Sequence, residues 1–196
     1  MTSNSDCAYS QPMLREIRLS VNGEVRAFEA DEATTLLDAL RNHLGLMGAR
    51  YGCGAEQCGA CSVLIDGEDK PSCAIEAGAL EGRAIVTIEG LGTPDHPHPL
   101  QTAFLDKQAG QCGYCLAGIL VASKALLDAN PDPSRAEIAE ALSWHLCRCG
   151  AHNRIMAAVA LAAERMRAPA FAKTTADLSA EAAAFAGASA GRPAGA

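Results

Sequence analysis

The chain of 196 residues is 49% hydrophobic and only 4% aromatic, and it carries a formal net charge of −7 at pH 7. An acidic balance argues against nucleic acid and against insertion at anionic membrane surfaces, which both select basic patches. No run of about 20 apolar residues is present, so no membrane-spanning helix is predicted. The first residues lack the pattern of a secretory signal, so we expect a cytoplasmic location, or export only with a partner.

The first predicted unit, residues 14–92, is a small mixed sheet crossed by one helix, and it follows a loose arm at 1–13. Asn22-Gly23 separates two runs of alternating apolar and polar residues, which predicts a hairpin. Leu36, Leu37, Leu40 and Leu44 share one helical face, which predicts a helix that Gly45 can end. A glycine- and cysteine-rich loop, a strand that ends at an Asp-Gly turn, and one further strand complete the unit.

The second predicted unit, residues 93–168, is helical and follows a proline-rich linker. Its first helix begins at a proline, and its third opens with Ser134 and Glu137 at capping-box spacing. Four such helices over about 70 residues predict a compact bundle. Residues 169–196 are rich in alanine and glycine, so we expect a disordered tail.

Nine cysteines occur in a chain that we expect to be cytoplasmic, where metal or redox ligands are commoner than disulfides. The number is odd, and Cys7 stands alone in the polar arm, so we take it as uninvolved. The other cysteines form a first cysteine group, Cys53, Cys58, Cys61 and Cys73. They also form a second cysteine group, Cys112, Cys115, Cys147 and Cys149.

The first cysteine group has the spacing C-x4-C-x2-C-x11-C, and its first three members match the loop of plant-type [2Fe–2S] proteins. The interleaved Gly52, Gly54 and Gly59 let the backbone bring N–H groups close to the sulfurs. Four cysteines also suit structural zinc, but these gaps and glycines favour the iron–sulfur cluster.

The second cysteine group consists of two pairs, in QCGYC before the long apolar helix and in LCRC between the third and fourth helices. A C-x2-C pair also occurs in thioredoxin-type sites, but no strand precedes this one. Together the pairs place four thiolates at helix ends, where the N-terminal dipoles favour negative charge. The spacing alone leaves structural zinc open.

The segments YGCGAEQCGACSV…SC and QCGYC…LCRCG together resemble the small iron–sulfur subunits of the molybdenum hydroxylases, the xanthine oxidase and aldehyde oxidoreductase family. The resemblance covers roughly residues 15–165 and keeps both cysteine groups in register. It implies two [2Fe–2S] clusters and an α+β fold, with a plant-ferredoxin-like β-grasp domain followed by an all-α four-helix-bundle domain. It also implies a large partner subunit that holds a molybdopterin cofactor and the substrate.

The resemblance further implies the path of the electrons. The cluster of the second cysteine group would be proximal to the pterin, and that of the first would be distal and face the acceptor. Gln111 would hydrogen-bond the pterin, and Cys149 would touch the pterin as well as its iron. No residue of this chain would be catalytic.

The chain departs from the family pattern beside its cysteines. Leu116 and Ala117 stand where the family often has Thr-Pro, and Trp144 and His145 stand where it often has a small residue and asparagine. His145 is a candidate polar relay, but we favour a helix-end histidine that meets solvent or the partner. The role of Arg148, between two cysteines, is left open.

The segments IVTIEGLG, HPHPLQTAF and SKALLDANPDPS look most like the small subunits of nicotinate dehydrogenase and isoquinoline oxidoreductase type. That likeness implies an N-heteroaromatic substrate such as nicotinate, and a cytochrome c type acceptor more often than a flavin subunit. The chain itself has neither a flavin motif nor a C-x-x-C-H haem motif. The alternatives are an aldehyde- or xanthine-type hydroxylase subunit, a free two-cluster ferredoxin-like carrier, and a zinc-binding interaction module.

Overall fold

The computed structural model describes residues 14–168. The predicted arm with Cys7 and the predicted tail at 169–196 therefore lie outside the described residues. Within that range, no helix combines the length and the apolar character needed to cross a membrane. Five strands form one sheet: β1 Leu14–Val21, β2 Glu24–Asp31, β3 Ser62–Ile65, β4 Glu68–Pro71 and β5 Ala84–Val86.

The sheet is mixed, with the strand order β2-β1-β5-β3-β4. Strands β1 and β5 pair in parallel, and the other neighbours pair antiparallel. The predicted hairpin at Asn22-Gly23 is confirmed, and both residues have positive φ angles of 53° and 82°, as a tight primed turn requires. Asp66-Gly67 makes the same kind of turn between β3 and β4, with φ angles of 50° and 87°.

One short helix crosses the sheet. Helix α1, Leu36–Asp38, begins at Thr35, whose hydroxyl accepts a hydrogen bond from the Asp38 N–H at 3.3 Å. It continues as a π-helical turn over Ala39–His43. Leu36 and Leu40 are fully buried with the sheet residues of the first hydrophobic core. The α-helix is therefore shorter than the leucine pattern predicts, because a π-helical turn, in which hydrogen bonds join residues five apart, completes it.

The second half of the chain contains helices α2 Pro99–Asp106, α3 Leu116–Ala129, α4 Arg135–Ala141 and α5 His152–Arg167. The predicted capping box of α4 is confirmed: Ser134 accepts from the Glu137 N–H, and Glu137 accepts from the Ser134 N–H. Helix α5 packs on α2 and α4, and α3 packs on α2 and α4. A second hydrophobic core lies between these helices and is distinct from the core under the sheet.

The two halves touch directly, because α3 packs on β3 and β4. Gly118, in the first turn of α3, makes the closest approach. A Cβ at this position would lie 1.9 Å from the carbonyl oxygen of Gly59. Only glycine fits this contact, so the start of α3 rests on the backbone of the loop that carries the first cysteine group.

Candidate metal centres

Three cysteines of the first group, Cys53, Cys58 and Cys61, lie in the loop before β3, and the fourth, Cys73, follows β4. Cys53 is exposed, Cys58 is half-buried, and Cys61 and Cys73 are buried, and none of them is in a disulfide. Gly59 has a φ of +69° and allows the sharp bend before Cys61. Because Ser62 pairs with Pro71, the loop and the segment after β4 bring Cys61 and Cys73 together at the same end of the β3–β4 pair.

Backbone N–H groups of the loop point at its sulfurs. The N–H groups of Ala55 and Gln57 donate to Cys53 Sγ at 3.3 and 3.2 Å, and the Cys53 N–H donates to Cys58 Sγ at 3.3 Å. The bonds from Ala55 and then Gln57 lower the pKa of Cys53 to about 7. The loop therefore favours the thiolate, which is the form of cysteine that binds metal.

The two buried thiols of this group, Cys61 and Cys73, contrast with the exposed Cys53. Burial raises the pKa of Cys61 to about 11, and the thiol of Cys73 beside it contributes in the same direction. Two neighbouring buried thiolates need a compensating cationic centre, and a bound metal deprotonates a coordinating thiol outright. The donor set thus fits a metal cluster.

The second cysteine group is assembled from two segments. Cys112 and Cys115 precede α3, and Cys147 and Cys149 precede α5. The structure places the thiol of Cys112 beside that of Cys149, and the thiol of Cys115 beside that of Cys147. Burial, followed by the contact with Cys147, raises the pKa of Cys115 to about 12. Cys112 is exposed, and its pKa is lowered, first by the N–H of Tyr114.

Both segments end where a helix begins. Neither α3 nor α5 has a side-chain N-cap, so their first N–H groups are left to other acceptors. The pKa of Cys147 is lowered although burial opposes this, because the Ala151 N–H and the Cys115 thiol outweigh the burial. An anionic group bound by these thiolates would meet the positive ends of two helices.

In each group the thiols interact as two pairs. In the first group, Cys53 lies beside Cys58 and Cys61 lies beside Cys73. The second group consists of two pairs in the same way. Among residues 14–168, no set of three or more His, Cys, Asp or Glu side chains is arranged to hold a single metal ion. A [2Fe–2S] cluster has two irons that share four cysteine ligands, so two pairs of thiols suit its shape.

Gln111 and Cys149, which the resemblance assigns to the pterin, lie together. The side-chain N–H of Gln111 donates to the carbonyl oxygen of Cys149 at 3.4 Å, and Gln111 is exposed. An open apolar cavity of about 470 Å³ adjoins Gln111 and is also lined by Leu116 and Leu105, among others. Their contact with a pterin stays a prediction.

His145 lies at the contact between the two halves. Its side chain is 1% exposed, and its Nε2 lies 3.2 Å from Ser62 Oγ and 3.5 Å from Asp69 Oδ2. The favoured interpretation, a helix-end histidine that meets solvent or a partner, is therefore wrong. The ring packs over Gly59, where a Cβ would lie 2.4 Å from it. Burial lowers the pKa of His145 to about 4 and raises that of Asp69 to about 6.

One hydrogen bond joins the backbones of the two cysteine groups. The N–H of Leu146 donates to the carbonyl oxygen of Cys58 at 3.1 Å, and Cys147 follows Leu146 in the chain. A second link was not apparent from the sequence: the guanidinium of Arg50 lies over the ring of Tyr114, with 5.2 Å from its Cζ to the ring centre. Both links depend on how the halves dock, so no local sequence pattern signals them.

Both halves match known families. Residues 19–85 match the family described as "2Fe-2S iron-sulfur cluster binding domain", and residues 87–160 match the "[2Fe-2S] binding domain". One subunit of the nicotinate dehydrogenase of Pseudomonas putida strain KT2440 is 50% identical over 157 residues, which are 80% of this chain and 100% of that one. The chain belongs to the small iron–sulfur subunits of the molybdenum hydroxylases. This small subunit therefore carries two [2Fe–2S]-binding domains and is part of an oxidoreductase.

Two further relatives of the small subunit are named as an aldehyde oxidoreductase subunit and as quinoline 2-oxidoreductase. The aldehyde oxidoreductase iron-sulfur-binding subunit PaoA of Escherichia coli strain K12 is 38% identical over 182 residues, covering 85% of this chain and 80% of that one. The crystal structure of quinoline 2-oxidoreductase from Pseudomonas putida 86 matches with a TM-score of 0.76 and 39% identity, over 80% of this chain and 98% of that chain. The α+β fold with a ferredoxin-like domain is thus confirmed, and the zinc-module alternative is set aside.

Proposed function

We propose that this small subunit carries electrons from a molybdopterin site in a large partner subunit to an external acceptor. The observation that carries the proposal is the Leu146 N–H···O=C Cys58 hydrogen bond of 3.1 Å. It connects the main chain of Cys58 to that of Cys147 with one hydrogen bond and otherwise covalent bonds. Two redox groups held by these residues would have a short connection within one chain.

We assign one [2Fe–2S] cluster to each cysteine group. When bound, each cluster supplies a centre that accepts and releases one electron. The paired thiols support the assignment, as do the N–H donors to Cys53 and the helix N-termini beside Cys115 and Cys149. The protein holds these centres and sets their surroundings, and we assign no proton transfer or bond chemistry to its side chains.

We place the second cysteine group on the side of the molybdopterin. Gln111 hydrogen-bonds the main chain of Cys149 and lines an apolar cavity, which supports contact with a second protein and its cofactor there. The first cysteine group would then be distal and deliver electrons to the acceptor. The description of α2–α5 as a four-helix bundle and the boundary near residue 92 stay predictions, and so does the cytoplasmic location.

We propose an N-heteroaromatic substrate such as nicotinate, bound by the partner subunit. The 50% identity to the nicotinate dehydrogenase subunit of Pseudomonas putida, over the whole length of that protein, supports this choice. The 38% identity to an aldehyde oxidoreductase subunit supports the second candidate, an aldehyde. A cytochrome c type protein is the proposed acceptor, and a flavin subunit is the alternative.

The test is substrate reduction of the purified complex without oxygen. Nicotinate should bleach the iron–sulfur absorbance as fully as dithionite does, and an aromatic aldehyde should leave it unchanged. Bleaching by the aldehyde alone would support the second candidate instead. A complex that dithionite bleaches and neither substrate class affects would contradict the proposal that this chain serves such a hydroxylase.

A further inference from the structure

The loop that carries Cys112 and Cys115 is held by side chains and backbone from the ferredoxin-like half. Tyr114 lies between the two cysteines, and its N–H hydrogen-bonds the Cys112 sulfur. Its hydroxyl donates to the carbonyl oxygen of Tyr51, and the guanidinium of Arg50 lies over its ring. Arg50 and Tyr51 are neighbours in the loop before Cys53, so one short segment contacts Tyr114 at both its face and its tip.

These contacts give the Arg50 side chain a defined position. The stack on Tyr114 has a distance of 5.2 Å from Cζ to the ring centre, within the range of a cation–π contact. The main chain is held as well, because the Arg50 N–H donates to the carbonyl oxygen of Ala60 at 3.0 Å. A side chain fixed in this way places its charge at a constant distance from the QCGYC loop.

No carboxylate within the described part of the chain forms a close ion pair with Arg50. Throughout residues 14–168, the ion pairs formed by arginine, lysine and histidine do not include Arg50. The residue is half-buried, so water screens its charge less than that of an exposed arginine.

The positive charge acts across the contact between the halves. Tyr114, whose ring the guanidinium covers, lies between Cys112 and Cys115 in the chain. The guanidinium therefore lies against the loop that carries Cys112 and Cys115.

We propose that Arg50, a residue of the ferredoxin-like half, raises the reduction potential of the centre held by the second cysteine group. The inference rests on the ligand assignment under Proposed function. A cluster held by these four thiolates would gain one negative charge on accepting an electron from the partner. A fixed cation nearby stabilises the added charge, so it favours the reduced form. Arg50 is a positioning and tuning residue that makes the first electron step on the pterin side more favourable.

The experiment is an electron paramagnetic resonance redox titration of the purified complex. Loss of one signal in Cys147→Ser identifies the signal of the second cysteine group. In Arg50→Gln, the ratio of reduced to oxidised centre for this signal should fall about tenfold at a fixed potential. For a one-electron couple, this corresponds to a reduction potential lowered by about 59 mV. Arg50→Lys keeps the charge and should stay within about twofold of the unchanged protein.

A matched control is Arg26→Gln, which makes the same change in net charge on the edge strand β2 and should move neither potential. The inference is overturned if Arg50→Gln shifts neither signal or both equally, or if Arg50→Lys behaves like Arg50→Gln. If the unchanged complex shows a single [2Fe–2S] signal, the ligand assignment itself fails. Two signals with no selective shift would overturn the role of Arg50 alone.

Discussion

The two cysteine groups are built in different ways. Cys53, Cys58 and Cys61 lie in one loop, and the N–H donors to the first two sulfurs come from that same loop. The second group joins two segments that precede α3 and α5, so the packing of the helices must bring its pairs together. A ligand set within one loop is largely a local property of the chain. A set assembled from two helix ends is a tertiary property.

The two cysteine groups also meet at the contact between the halves. Gly118, Leu146 and His145 from the helical half all meet the loop of the first group or the strands beside it. Arg50 from that loop meets the QCGYC segment in return. The second group therefore depends on the first half of the chain, and we expect it to be the more easily disrupted of the two.

The largest effect is expected for Cys147→Ser. Loss of this thiolate should remove one cluster and lower the iron content by about half, because the four-cysteine ligand set is broken. Turnover with the natural acceptor should fall by roughly 100-fold or more, while substrate binding to the partner is kept. Iron analysis and steady-state kinetics measure both effects. Cys7→Ser serves as the control, and normal turnover in Cys147→Ser would refute the proximal assignment.

Gly118→Ala tests the contact between the halves directly. The new Cβ would meet the Gly59 carbonyl oxygen at 1.9 Å, and a backbone atom cannot move aside as a flexible side chain can. We expect a loss of about 3 kcal/mol in the free energy of unfolding. Gly67→Ala is the control, since only its φ of +87° opposes a side chain, at a cost of about 1 kcal/mol. Equal losses, measured by thermal unfolding, would show that the halves are not closely packed at Gly118.

His145 and Asp69 predict opposite pH dependences. Burial lowers the pKa of His145 to about 4, so its stabilising effect is present above pH 6.5 and is lost as the pH falls towards 4. Burial raises the pKa of Asp69 to about 6, so its effect is present below pH 3.8 and is lost as the pH rises through 6. Together they cancel between about pH 4 and 6, because folding favours the neutral form of both groups.

Replacing either His145 or Asp69 alone should reveal the pH dependence of stability that the other group contributes. Asp69→Asn should lose stability as the pH falls from about 6.5 to 4.5, by at most about 1.4 kcal/mol per pH unit. His145→Asn should instead lose stability as the pH rises from about 4 to 6. Guanidinium chloride midpoints, followed by loss of the iron–sulfur absorbance, measure both. Slopes of the same sign in the two variants would contradict the neutral buried pair.

The smallest effect concerns a helix end away from the cysteine groups. Ser134→Ala removes half of the capping box of α4 and should cost about 1 kcal/mol of unfolding free energy. Ser143→Ala, at an exposed site after the same helix, should change stability by less than about 0.5 kcal/mol. Both cluster signals should be unchanged in each variant. A loss of the second signal in Ser134→Ala would show that α4 supports that site.

Features with a local physical cause were predictable from the sequence. Asn22-Gly23 signalled a hairpin, Ser134 with Glu137 signalled a cap, and the cysteine spacing signalled an iron–sulfur loop. Strand β4, Glu68–Pro71, was not predicted, because three of its four residues are charged and the fourth is proline, so it lacks an apolar alternation. It forms because the Asp66-Gly67 turn directs the chain back along β3.

Features that depend on docking were not predictable. Nothing next to His145 in the chain shows that its ring is covered by Gly59, Ser62 and Asp69. The stack of Arg50 on Tyr114 likewise joins residues that are distant in the chain. Such contacts follow from the packing of α3 on β3 and β4, which no local periodicity encodes.

The order of electron transfer tests the account most directly. The substrate is mixed with the oxidised complex, samples are frozen at increasing times, and the two [2Fe–2S] signals are followed by electron paramagnetic resonance. We predict that the signal lost in Cys147→Ser rises first and that the signal of the first cysteine group follows. Reduction of the first group ahead of the second, or of neither while the substrate is consumed, would contradict the account.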